Sequence, residues 1–487
     1  MSLKSKTLTG ILWTFSQQFS VKGISFVVQI ILARILMPEV YGLVAIVGIF
    51  VAIGRNLVDG GMTSSLIRTQ DADQKDYSTV FFLNLMASFV LYAILFFCAP
   101  YISGFFEMPQ LTALLRVYTL SFIIQALGNV QTTRLTKELN FKLQMYMQIP
   151  ATICGGIVGI ILAYNGFGVW SLVLMYLTTA TVFMVQHWFR TDWRPDFVID
   201  KNKLKHHFDF GYKVTLSGLV TTAYHHSYTL IIGKMFSATQ LGFYNQANTL
   251  RMFPVQNLTT ALRKVTYPVF SSIQDDNVRL KAMFRKITAL VFFVVTPVML
   301  YLVIVAEPLF RFLLTEKWLP AAPYFQVLAL SAIVYPLSMY NLNIVLAKGR
   351  SDLHLKMELI KKLSSIMFLL LIIPFGIWGV IYAQAISMLI HAFVNTFFCG
   401  RLINYPVRNQ IIDVFPIFLL CFVLTVIMFS LNVLFFSKFL ENDLVLIITN
   451  FILYFALYLL CSKLLRFKEL KELLKIGKQG FLKIRNK

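Results

Sequence analysis

The chain has 487 residues, of which 57% are apolar and only 14% charged, and its mean hydropathy is +0.71. A water-soluble surface usually needs about 25% charged residues, so a soluble enzyme, a coiled coil and a disordered scaffold are all excluded. At about 20 apolar residues per bilayer crossing, the composition describes an all-α polytopic membrane protein.

Reading apolar runs between charge clusters and turn residues predicts fourteen membrane helices. They run 7–35, 41–65, 77–97, 114–134, 141–164, 167–189, 208–236, 241–270, 282–306, 321–347, 353–373, 377–400, 414–435 and 444–464. The first, second, seventh and eighth are unusually polar, and polar groups are costly in hydrocarbon. These four are therefore expected to face one another or a wet cavity.

Charge supplies the topology. Lys and Arg number 44 against 22 Asp and Glu, a formal net charge of +22. With both termini cytoplasmic, 35 of the basic residues fall in inner loops and tails, among them the group from Lys348 to Lys362. Five fall outside (Arg34, Lys234, Arg311, Lys317 and Lys438) and four lie within spans. This is a strong positive-inside pattern. The excess charge orients the chain and meets anionic membrane lipid, so nucleic acid is not an expected partner.

An interval of 200 residues recurs: Arg34 precedes Gly42 as Lys234 precedes Gly242, and Leu32 aligns with Ile232. Six helices separate the copies, which makes the repeat parallel. The expected organisation is a six-helix bundle over 1–200, a second over 201–410, two further helices over 411–465 and a basic amphipathic cytoplasmic tail over 466–487. Pro254, Pro297 and Pro336 interrupt spans and are candidate hinges.

The five cysteines sit in apolar runs without paired spacing, so no metal site and no disulfide framework is expected. Asp71-Ala72-Asp73 matches a sugar-transferase DxD but lies in a short inner loop, where a solvated turn is the natural reading. Gly155 and Gly159 form a GxxxG suited to close helix packing. No nucleophile–base pair and no phosphate-binding loop appears, so an enzyme is not expected.

The function-like signal is basic charge inside spans. Lys22, Arg55 and Arg251 lie in the polar helices and are the candidate substrate-binding residues. A charge near mid-bilayer costs at least about 2.5–3.5 kcal/mol, and an arginine fork suits a diphosphate. Weaker candidates are Arg116 near the outer interface, His225 and His226 in the seventh helix, and Asp59, which stands one turn from Arg55 and would form an ion pair with it in a purely structural reading.

The segments Ile231-Ile232-Gly233-Lys234, Leu241-Gly242-Phe243-Tyr244-Asn245-Gln246-Ala247 and Tyr267-Pro268-Val269-Phe270-Ser271 carry a family likeness. So do Ala33 to Gly42 and Ala347-Lys348-Gly349-Arg350-Ser351-Asp352. The chain resembles the Wzx-type flippases, the polysaccharide branch of the MOP (MATE-like) exporters. That resemblance implies two six-helix bundles plus two C-terminal helices in the bacterial inner membrane. It also implies export of undecaprenyl-diphosphate-linked oligosaccharide for surface polysaccharide or lipopolysaccharide biosynthesis. No cofactor is implied, coupling to a proton or sodium gradient is compatible with the family, and polysaccharide polymerase machinery is a candidate partner. Relatives often carry an acidic residue where Tyr228 stands, so a cation site there is not inherited. A lipid II flippase and a cation-coupled multidrug exporter are the alternatives within the fold. A membrane-embedded sugar transferase or polymerase is the rival of another class, and the longest predicted outer connection, 98–113, leaves it no room.

Overall fold

The structure is a computed structural model that describes residues 3–436, 440 and 442–475, with side chains for all but 3–12, 14–16, 257–265, 267 and 268. Lys438 and residues 476–487 of the basic tail lie outside the described residues. No strand occurs among the described residues, and the chain falls into two compact units, Met1–Gly242 and Phe243–Lys487.

The first unit holds α1 (Leu3–Ile35), α2 (Pro38–Asp59), α3 (Met62–Arg68), α4 (Gln74–Phe106), α5 (Gln110–Tyr118), α6 (Ser121–Lys137), α7 (Phe141–Tyr164), α8 (Val169–Arg190), α9 (Lys201–Met235) and the start of α10 (Ala238–Ser272). Pro38 opens α2 in its first turn, where a missing N–H costs nothing. α7 packs on both α1 and α8. The GxxxG glycines make the second contact, since a Cβ on Gly155 would lie 1.9 Å from Thr179 Oγ1. α9 belongs to this unit, where it packs on α2, α3 and α4.

α4 differs from its predicted span. The predicted span ends at Phe97, yet the helix runs on through Pro100 to Phe106 and α5 begins at Gln110. The connection between the two helices is therefore Glu107–Pro109, far shorter than the 98–113 predicted as an outer connection. At its other end Asp73 caps the helix: its Oδ1 accepts from the Asp76 N–H at 2.9 Å, and Asp76 Oδ2 accepts from the Asp73 N–H at 2.8 Å. The second aspartate of the DxD is thus a helix cap.

The second unit continues with α11 (Asn277–Ile304), α12 (Ala306–Leu314), α13 (Ala322–Ala332), α14 (Tyr335–Ala347), α15 (Ser351–Ile372), α16 (Gly376–Leu402), α17 (Val407–Leu431) and α18 (Asp443–Leu464). Pro336 does not kink a helix but stands in the first turn of α14, dividing the predicted tenth span in two. α15 and α16 pack together and are joined by a short turn at Gly376, whose φ of +75° favours glycine. Asn432 and Asn450 exchange amide hydrogen bonds of 2.9 Å in both directions and bind α18 to the end of α17.

Among the described residues eleven helical segments are long and apolar enough to cross a membrane. One of them, Ser351–Leu402, contains both α15 and α16, while the polar α9 and α10, 35 residues each, are not among the eleven.

Candidate functional site

A polar cavity of about 360 Å³ lies within the first unit, lined by α2, α6, α7 and α8. Its cation is Arg55. The preceding Gly54 lets α6 press directly onto α2: a Cβ there would stand 2.1 Å from Phe122 Cζ. That approach sets Arg55 beside the face of α6 that carries Gln125, Asn129 and Thr132, residues spaced four and three apart and so aligned along one side of a helix. Gln148 from α7 and Tyr176 and Thr179 from α8 complete the polar lining.

The three carboxamides are half-buried and make no side-chain hydrogen bond to protein among the described residues, so their donors and acceptors face the cavity unspent. The walls are better fixed. Tyr176 stacks on Tyr118 with ring centres 5.6 Å apart, and the charge of Arg55 acts on both phenols. His187 gives its Nδ1 proton to the Phe183 carbonyl at 2.8 Å, which leaves Nε2 to accept from Thr132 at 3.0 Å. No acidic side chain lines the cavity.

The other sequence candidates take different places. Lys22 is exposed on α1 and is not part of this lining. Arg251 lies in the second unit, 5% exposed, with Nη1 donating to the Leu328 carbonyl at 3.3 Å and Ser331 Oγ at 3.4 Å. Arg116 gives its Nε–H to the Phe96 carbonyl and lies 4.3 Å from the centre of the Phe96 ring. His225 is exposed and His226 half-buried on α9. Asp59 accepts from Thr63 and makes no ion pair with Arg55.

Two groups escaped the sequence reading. The cavity amides are uncharged, so a search for charge in apolar runs passes over them; their spacing on α6 was the available signal. The second is Lys361, grouped with the inner loop basic residues. It lies inside the predicted span 353–373 and is buried in α15, although the charge partition counts it with the inner basic residues.

A helical bundle with a polar, amide-rich cavity and, among the described residues, eleven segments long and apolar enough to cross a membrane is the architecture of a multi-pass membrane protein. The structure superposes on the lipid II flippase MurJ in its inward closed conformation with a TM-score of 0.76 at 16% identity, covering 94% of this chain and 99% of that one. It also matches an inward-facing MATE family multidrug resistance transporter of the MOP superfamily, with a TM-score of 0.59 at 17% identity over 78% of this chain and 94% of the other. The profile of the polysaccharide biosynthesis protein family matches residues 31–323, and the chain belongs to that family. It is 28% identical to the teichuronic acid biosynthesis protein TuaB of Bacillus subtilis over 61% of this chain; the match spans 62% of TuaB, just under two thirds of its length. It is 24% identical to the lipopolysaccharide biosynthesis protein WzxC of Escherichia coli, over 74% of each chain.

Proposed function

We propose that this protein carries lipid-linked oligosaccharide repeat units across the bacterial inner membrane for surface polysaccharide or lipopolysaccharide biosynthesis. The observation that carries the reading is the cavity lining: one guanidinium, three unspent carboxamides and several hydroxyls, without a carboxylate. Arg55 suits a diphosphate because its fork can donate to two oxygens at once, and carboxamides pair with sugar hydroxyls as both donors and acceptors. The lipid tail stays in the bilayer, so only the head group needs this wet surface. No bond is made or broken, and no catalytic residue is required. The names of the relatives support the cargo: besides TuaB and WzxC, the chain is 26% identical to the succinoglycan biosynthesis transport protein ExoT of Rhizobium meliloti.

The same reading places both termini in the cytoplasm, counts fourteen crossings by adding α9 and α10 and separating α15 from α16, and keeps Lys22 and Arg251 as further substrate contacts. A cation-coupled drug exporter would favour an acidic lining, which this cavity lacks. A lipid II flippase shares the diphosphate chemistry, and the fold likeness to MurJ keeps it as the second reading.

Deleting the gene and extracting the lipid-linked sugars separates the two. Accumulation of an undecaprenyl-diphosphate-linked repeat unit, with surface polysaccharide lost and both reversed by the cloned gene, supports the proposal. Accumulation of lipid II supports the second reading, and unchanged pools of both overturn each.

A further inference from the structure

A second polar pocket, of about 390 Å³, opens where the C-terminal end of α6, the start of α7 and the end of α8 meet. It shares no lining residue with the Arg55 cavity. Its most buried polar member is Gln131, 1% exposed, whose Nε2 and Oε1 both lack a hydrogen-bond partner among the described residues. A carboxamide buried with both polar atoms unpaired is costly, and a ligand that pairs with both removes that cost. The period of the helix brings its neighbours in: Gln131, Arg134 and Leu135 on α6 and Glu138 just past its end lie along one side.

The lining names the ligand's chemistry. Arg134 and Arg190 are matched in number by Glu138 and Asp192, so the pocket carries no formal net charge. Arg134 is held in place, 3.6 Å from Glu138 Oε1 and with its guanidinium 5.3 Å from the Tyr77 ring centre. A phosphate would meet two carboxylates here, and as an acceptor alone it would leave Gln131 Oε1 unpaired. A sugar hydroxyl both donates and accepts, so neighbouring hydroxyls on one ring satisfy Nε2 and Oε1 together. Asn140 spends its Oδ1 on the Leu143 N–H at 3.3 Å, which leaves its amide hydrogens to donate. Leu135, Leu143 and Trp193 supply apolar surface for the C–H faces of a ring, and Trp193 is fixed by its Nε1–H, which donates to Gln74 Oε1 at 2.6 Å.

We infer that this pocket binds an uncharged sugar ring of the cargo, as a recognition site separate from the cavity that takes the diphosphate. The role rests on the transport reading; the ligand rests on Gln131 and its neighbours. In the topology of that reading the pocket lies at the cytoplasmic ends of α6, α7 and α8, the side from which cargo enters. A site built to pair with hydroxyls rejects a sugar that lacks one, because its buried polar groups are then left unpaired. The pocket thus selects a repeat unit by its hydroxyl pattern before the crossing.

The test uses the purified full-length protein in a detergent without a sugar head group. The probes are the neutral monosaccharides released by complete acid hydrolysis of the cell's surface polysaccharide, desalted, with inorganic diphosphate as the anionic competitor, and binding is read by saturation-transfer difference NMR. At least one sugar should bind saturably and resist displacement by diphosphate. Gln131→Leu should weaken that binding about fivefold or more. Because it removes an unpaired buried carboxamide, it should melt no lower than wild type without sugar, and its export should fall about threefold or more at normal membrane abundance. Asn140→Asp keeps the cap acceptor for Leu143 and removes only the amide donors, so it should also weaken binding, and it serves if Gln131→Leu is poorly made. Absence of saturable sugar binding, binding unchanged in both variants, or displacement by diphosphate overturns the sugar site. Sugar binding that depends on Gln131, in a protein whose deletion leaves the lipid-linked pools unchanged, removes the transport reading and leaves the sugar site standing.

Discussion

Arg116 donates its Nε–H to the carbonyl oxygen of Phe96 at 3.2 Å, and Phe96 is the residue whose carbonyl Pro100 leaves unserved, four positions along α4. The same device recurs twice. Pro150 in α7 frees the carbonyl of Tyr146, which takes a hydrogen bond from Arg190 at 3.4 Å. Pro297 in α11 frees that of Phe293, which accepts from the Tyr458 hydroxyl at 2.8 Å. A proline inside a membrane helix is tolerated when a neighbour re-satisfies the freed group. Pro297 is therefore held in place by α18, which argues for a fixed bend where the sequence suggested a hinge.

This gives Arg116 a structural task that a double-mutant cycle measures. Arg116→Ala leaves a part-buried carbonyl unpaired and should cost about 1 kcal/mol, read as a lower melting temperature in detergent. Pro100→Ala restores an in-helix N–H for Phe96, so adding Arg116→Ala to it should cost markedly less. Equal costs in both backgrounds would show that the hydrogen bond does not hold the helix.

Helix positions were legible in the sequence because lipid imposes one requirement, a long apolar run with its backbone satisfied internally. The ends at Ile35 and Met235 fall at or beside the predicted 35 and 236, while the restarts at Pro38 and Ala238 come three residues before the predicted 41 and 241. What misled was local chemistry with a distant partner. Nothing near Pro100 in sequence announces Arg116, and nothing near Lys361 announces that the His391 ring of the next helix lies 3.3 Å from its carbonyl. The cavity was legible only in Arg55; Gln125, Asn129 and Gln148 acquire meaning once three helices converge.

The 200-residue interval reappears as a reciprocal backbone contact. A Cβ on Gly42 would lie 1.8 Å from the Ala238 carbonyl oxygen, and one on Gly242 would lie 1.9 Å from that of Pro38. Each partner is itself 200 positions from the other, so the two helix starts meet as equivalent surfaces. Gly42→Ala and Gly242→Ala should each destabilise by about 1–3 kcal/mol or more, as overpacking does. A Cβ on Gly48 in the same helix α2 would meet nothing within 4 Å, so Gly48→Ala should be neutral or stabilising by up to about 1 kcal/mol. Melting curves of the three variants in one detergent check this, and equal behaviour at all three positions would remove the special role of the crossing.

Where α3, α4 and α9 meet, Asp76 and His207 are buried together, with His207 Nε2 3.1 Å from Asp76 Oδ1, Nδ1 2.8 Å from Ser65 Oγ, and Lys203 2.8 Å from Asp76 Oδ2. Burial, the larger effect, holds the His207 imidazole below its ordinary value near 6.5, while the Asp76 bond pulls it upward and His206 and Lys203 add repulsion. The folded state thus binds this proton less readily than the unfolded chain. The contribution is complete above the ordinary value and is lost as pH falls below it. Lys203, raised chiefly by its hydrogen bond to Asp76, acts only at alkaline pH. Wild type should melt at a lower temperature at pH 5 than at pH 7.5. His207→Gln should lower stability by about 1–3 kcal/mol at pH 7.5 and flatten that difference; a pH dependence that survives the substitution would assign it elsewhere.

The strongest test of the cavity is Arg55, because its surroundings separate a binding role from a structural one. It makes no ion pair among the described residues, and Asp59, its nearest carboxylate in sequence, is engaged by Thr63. Removing the guanidinium therefore breaks no salt bridge, and Arg55→Ala should reach the membrane at near wild-type levels. If the fork grips a diphosphate, export in a deletion strain should fall more than tenfold, a loss of at least about 1.4 kcal/mol. Arg55→Lys should recover only part of it, since a point charge cannot donate to two oxygens in one plane. Gln125→Leu, Asn129→Leu and Gln148→Leu each remove a neutral hydrogen-bonding group and should cost about 0.5–1.5 kcal/mol, a few-fold in export. Asp59→Ala is the discriminating control. A structural Arg55–Asp59 pair requires it to behave like Arg55→Ala, whereas the observed geometry requires near-normal export, and full export by Arg55→Ala itself at normal abundance would end the diphosphate assignment.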